Sequence, residues 1–351
     1  MTGAALVGLV MVPLFGAFLC AAPLVARPTV RFGVRVPPEY AEAAVIRRER
    51  RGYQWRSAVV AICCTAAVIA VVGHRPWWPG RLILVVEILA DFGCFWLARQ
   101  RITRVKSAEG WFAGRRQTVV ADTSWRTRPQ PYPVGWLIPA AAVIVSTVII
   151  GVVRYPHLPV YLGSGGDRVA TSPFSVFAVV VSQVYVTGMW AGLLVLVHRS
   201  RPDLDTADPA ASLRGYRKAL GAYARAGLIL LACIDLSLLL YGLQRWQVYP
   251  DGTILLPAPV VFGLASFLVT AVRAGRERVP TAGAATATDR DDDRFWKAGL
   301  LYVNRDDPGL LVSARFAVGW TPNFGNPTAW LLIAGFIAVP AGLVIIKLVG
   351  A

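Results

Sequence analysis

Apolar runs recur along the chain near 4–26, 57–73, 82–98, 135–153, 174–197, 219–243, 254–272 and 329–349. Each is about 17 to 25 residues long, enough for a helix to cross the hydrocarbon core of a bilayer. The pattern predicts an all-α membrane protein, a bundle of about eight transmembrane helices. The polar stretches between the runs alternate in kind. Loops 27–56, 99–134, 198–218 and 273–328 hold about 29 Lys and Arg residues, against about five in 74–81, 154–173 and 244–253. Basic loops stay on the cytoplasmic side, so the rich set is predicted inside and both termini outside. The first run opens MTGAAL with no basic n-region and reads as a retained span rather than a signal peptide.

Composition agrees with that pattern. With 56% hydrophobic and 16% charged residues and a mean hydropathy of +0.53, the 351-residue chain is too apolar for a soluble domain of its size. The Arg-rich bias hints at a bacterial source, and the bacterial cytoplasmic membrane is the expected address. A net charge of +16 would suggest nucleic acid if spread over a soluble protein. Here it is confined to particular loops, so topology explains it and the bilayer, not nucleic acid, is the expected partner. Cys20, Cys63, Cys64, Cys94 and Cys233 all fall in apolar runs and form no CxxC. HExxH, GxSxG and GxxxxGK[ST] are absent, and His74, His157 and His198 are isolated. Neither enzyme chemistry, a cofactor nor a metal site is expected.

The loops divide the chain further. The first cytoplasmic loop predicts an extended opening, a Pro-Pro break and a helix carrying Arg47, Arg48, Arg50, Arg51 and Arg56 beside Tyr53 and Trp55. The second mixes a helical start with a β-like QTVVA run. The external stretch 154–173, rich in turn formers, can form a lid but scarcely a domain, and its GSGG suits no phosphate loop. Gly188 and Gly192 have the GxxxG spacing that permits close helix approach. The division is a seven-helix region over 1–273, a flexible linker over 274–290, an aromatic segment over 291–328 and a last helix over 329–351. Within 291–328, GLLYV and LLVSA separated by NRDDPG predict a hairpin at the inner interface.

Acidic residues inside the spans are the candidate chemistry. Glu87 and Asp91 stand four apart in RLILVVEILADFGCFWLA, one turn above the other on one helix face. Span three enters from outside, which puts them roughly 8 and 14 Å below the outer edge. Asp235 in span six comes out at a similar depth, roughly 12 Å. With Gln183 in span five they are expected to converge as a polar cluster sheltered from lipid. Three readings stay open: interhelical hydrogen bonds that fix packing, a path for a cation or proton, and the floor of an outward cavity that receives a basic peptide.

The segment before the last helix carries the most particular motif: W-K-x-G-L-x-Y-x-N, D-D-P, R-F, G-W-T and N-F-G-x-P. Its members include Trp296, Tyr302, Asn304, Asp306, Asp307, Pro308, Trp320, Asn323 and Gly325. With FGVRVPPE at 32–39, the run at 106–125 and YPHLP at 155–159, this resembles a bacterial membrane-protein group known as domain of unknown function 5808. The external loop falls where such proteins carry domain of unknown function 1648, of which Leu158, Pro159, Gly166, Asp167 and Arg168 match the pattern while its His, Asn and Trp are missing. A relative of that second family is the toxin-immunity and signalling membrane protein of the sporulation-delay system. The resemblance implies a polytopic membrane protein, non-enzymatic, that gives immunity to or senses a secreted toxin peptide, a regulator or envelope stress. A transporter or transport-accessory protein is the alternative.

Overall fold

The computed structural model describes residues 3–26, 29–71, 78–111, 130–163, 168–200, 209–249, 256–276, 292–316 and 319–349. Among them are eight α-helices, one on each apolar run: α1 Gly3–Val25, α2 Ala44–Val71, α3 Trp78–Ala108, α4 Ile138–Arg154, α5 Pro173–Arg199, α6 Pro209–Arg245, α7 Ala258–Arg276 and α8 Pro327–Val349. The chain is all-α with the apolar helices of an integral membrane protein. Four helical stretches have both the length and the hydropathy to cross a membrane: Ala44–Val71, Val134–His157, Pro173–Arg199 and Ala210–Arg245. Shorter apolar stretches lie in α1, α7 and α8. Helix α3 is long enough, at 31 residues, but carries Glu87 and Asp91 in its apolar part.

Several helices outrun their apolar runs. The Arg-rich helix of the first loop continues without a break into α2, and α3 extends past the apolar run to Ala108. Pro139 sits at the start of α4, where its missing N–H has no intrahelical partner to lose, so it kinks nothing. Serine and proline open α5: Ser172 accepts from the Ser175 N–H at 3.1 Å and the Ser175 hydroxyl accepts from the Ser172 N–H at 2.9 Å, a closed cap.

The helices pack in two groups. Helices α1, α2 and α3 pack on one another, whereas α6 packs on α4, α5 and α7; α1 against α7 joins the groups. On α3, Glu87, Asp91, Phe95, Ala98 and Ile102 form the buried stripe, while Val85, Val86, Leu89 and Phe92 face outward. That is the division expected of a helix with neighbours on one side and lipid on the other. The GxxxG pair is not used this way, since open space surrounds both Gly188 and Gly192.

At one end the four basic stretches meet. A hairpin of β1 Val30–Arg31 and β2 Val34–Arg35 turns at Phe32 and Gly33, both with positive φ, and packs on α3. The aromatic segment lies beside it, and Leu311 reaches Leu213 and Tyr216 at the start of α6. The opposite end carries the short hairpin of β3 Tyr161–Leu162 and β4 Val169–Ala170, whose Gly163 N–H donates to the Arg245 carbonyl at the end of α6.

The strand pairing of the aromatic segment differs from the sequence prediction. Leu301–Tyr302 pairs back on Trp296–Lys297 (β6 on β5), and Leu311–Ser313 pairs forward on Trp320–Pro322 (β7 on β8). Two hairpins replace one. Ala298 and Gly299 take positive φ values of 52° and 74°, reversing the chain ahead of LLYV, while NRDDPG becomes a loop between hairpins. The QTVVA run, the GSGG residues 164–166 and most of the 274–290 linker lie outside the described residues.

Candidate functional site

Glu87 and Asp91 lie on α3 where it meets α1 and α2. Both are enclosed, at 0% and 2% exposure. Ser57 on α2 donates its hydroxyl to Asp91 Oδ1 at 2.6 Å. Among the described residues, Asp91 Oδ2 and both carboxyl oxygens of Glu87 have no hydrogen-bond partner. Gly16 on α1 makes room for Glu87: a Cβ there would stand 2.7 Å from Glu87 Oε1 and 2.4 Å from the Ala61 Cβ. An ionised, unpartnered carboxylate in such an enclosure is costly by several kcal/mol. The arrangement therefore calls for something that supplies positive charge, and a proton or a cation is the smallest such thing.

Asp235 and Gln183 are held in the other group. Thr187 on α5 donates to Asp235 Oδ2 at 2.7 Å. The Gln183 amide donates to Thr147 Oγ1 on α4 at 3.0 Å and to the Asp235 carbonyl on α6 at 2.9 Å. Thus Gln183 and Asp235 are brought together, as Glu87 and Asp91 are by helical spacing. Among the described residues, no hydrogen bond joins one pair to the other. No group of three His, Cys, Asp or Glu side chains forms a metal site among them either.

A third polar centre lies outside the apolar runs, and the sequence reading did not find it. Arg315 is buried at 1% exposure, follows β7 and stacks over the Trp296 ring at 4.6 Å. It donates to the Gly33 carbonyl at 2.8 Å and pairs with Asp293, which also holds Lys106 of α3 at 2.6 Å. Arg99 of α3 donates to the same Gly33 carbonyl at 2.7 Å. Burial alone would raise the Asp293 carboxyl, but the Arg315 guanidinium and the Lys106 ammonium outweigh it and hold it below the ordinary carboxylate range. This latch ties the first hairpin, the end of α3 and the aromatic segment into one body.

The motif residues of the aromatic segment form their own clasp. Asn323 Oδ1 accepts from the Asn304 and Gly325 N–H groups, each at 3.0 Å. Its amide donates to the Asn304 carbonyl at 2.8 Å and the Asp307 carbonyl at 2.9 Å. Tyr302 donates to Asp307 and accepts from Asn304, and Trp296 packs on the Tyr302 ring. Asp306 and Pro308 occupy the loop between the hairpins, with the Pro308 carbonyl accepting from Asn326 at 3.2 Å. Trp320 sits on the next strand against Tyr223 of α6. Every one of these roles is architectural. No family model matches the chain, and no curated protein or solved structure compared with it does so.

Proposed function

We propose that this is a polytopic protein of the bacterial cytoplasmic membrane, with eight spans, both termini outside and the latch in the cytoplasm, and that it works as a transporter or transport-accessory protein whose Glu87–Asp91 pair takes up a proton or cation. One observation carries the reading: the Glu87 carboxyl is fully enclosed between α1, α2 and α3, with neither oxygen partnered. Ionisable groups so placed in apolar helices belong to proton and ion paths by default. Titratable groups near the pair include Tyr53 and Cys64 of α2 and Cys94 of α3, none of them cationic at neutral pH, while Arg56 is engaged with Glu49 at 3.6 Å. The meeting of the four basic stretches at one end supports the orientation.

The peptide-sensing reading, which the family resemblance favours, asks for carboxylates open to an outer cavity. Glu87, Asp91 and Asp235 are instead closed in by helices, which favours an occupant of atomic size. Purified protein in liposomes, with an internal pH dye and an imposed cation gradient, tests this. Wild type should move protons or cations and Glu87→Gln should not. Equal flux in the two proteins, or none in either, sinks the proposal; protection of cells against a secreted peptide that vanishes in Asp91→Asn would favour sensing instead.

A further inference from the structure

The Asp235 site presents a different chemistry from the Glu87 pair and does not depend on the reading of that pair. Thr187 spends its hydroxyl proton on Asp235 Oδ2, and Gln183 spends both amide protons, on Thr147 and on the Asp235 carbonyl. The Thr147 hydroxyl is likewise committed, to the Val143 carbonyl at 2.8 Å. What is left facing inward is oxygen without a donor. Among the described residues, Asp235 Oδ1 and Gln183 Oε1 both lack a partner, and both residues are 0% exposed. Elsewhere in the molecule a buried amide is saturated on both ends, as Asn323 is.

We infer that Asp235, Gln183, Thr187 and Thr147 form a binding site for a hard monovalent cation between α4, α5 and α6. Buried oxygen acceptors whose hydrogen-bonding neighbours have already spent their protons suit a cation ligated by oxygen. An all-oxygen set without imidazole or thiolate selects against transition metals. A single carboxylate balances one positive charge, so a divalent ion would leave an excess charge buried. Gln183 and Thr187, one turn apart on α5, and Thr147 on α4 fix the two walls, and α6 brings the charge.

Sodium chloride is the probe. The full-length protein in detergent is melted in NaCl against choline chloride at constant ionic strength. Wild type should gain about 2 °C or more per tenfold rise in Na+ above half-saturation. Asp235→Asn, which preserves shape and can still accept from Thr187, should melt at the same temperature in both salts, and Gln183→Leu should respond more weakly than wild type. The same comparison in a Glu87→Gln background removes any sodium held at the proposed transport pair, and there Asp235→Asn should abolish whatever response remains. Identical melting of wild type in the two salts overturns the inference in favour of a protonated Asp235. A sodium response that survives Asp235→Asn in the Glu87→Gln background overturns it too.

Discussion

At the scale of single residues, small groups set the geometry. A Cβ on Gly33 would stand 2.3 Å from the Gly299 carbonyl oxygen, and Gly33 has φ of +69°. Gly33→Ala should therefore open the hairpin contact and lower the melting temperature by more than an exposed glycine substitution such as Gly188→Ala, whose site has room. Asn323 makes four hydrogen bonds from one side chain, so Asn323→Ala strands several buried groups. A loss of at least about 1 to 3 kcal/mol is expected, measured as a shifted unfolding midpoint in detergent. Some of this was legible in the sequence. Tyr302, Asn304, Asp307, Asn323 and Gly325 were marked by their motif and do form one clasp. Ser57, Thr147 and Thr187 were not, because a lone hydroxyl in an apolar run carries no pattern until the neighbouring helix is in place. Arg315 stands in the R-F element of the motif, but its burial and its pairing with Asp293 were hidden, because a basic residue in a basic loop looks solvated.

At the scale of elements, α3 is the member that joins the buried carboxyl pair to the latch. Its 31 residues span about 46 Å, with Glu87 and Asp91 near the first third and Arg99 and Lys106 in the latch. The run lengths announced α3 and its companions, since a spanning helix needs only enough apolar residues. The strand pairing was less legible. LLYV and LLVSA suit a hairpin equally with either neighbour, and positive φ at Ala298 and Gly299 decides between them. The latch also gives a pH dependence. Asp293 titrates below its unfolded value near 4, so its contribution is full above that value and drains away as pH falls through the lower, folded one. Asp293→Asn should be destabilised at pH 7, by up to about 3 to 5 kcal/mol, because the buried Arg315 loses its ion pair with position 293. The gap between the two proteins should narrow as pH falls below about 4, read by thermal melting across the range.

At the scale of the whole molecule, two helical groups share one join and one polar end. Orientation in the membrane follows from charge, and single cysteines test it. In a background lacking the five native cysteines, Val160→Cys should label from outside intact cells and Arg305→Cys should not. Both positions are exposed, so reversed labelling would place the latch outside. The latch has a further consequence, in time. Arg315 reaches back across 282 residues to the Gly33 carbonyl. At about 5 to 20 residues per second, synthesis of the intervening chain takes about 15 to 60 s. For that interval the first hairpin has left the ribosome and its last partner does not yet exist, so every newborn copy passes through a stage that is inserted but unlocked. A ribosome that stalls before codon 315 leaves a chain whose incompleteness is displayed at its polar end, as a first hairpin without its latch.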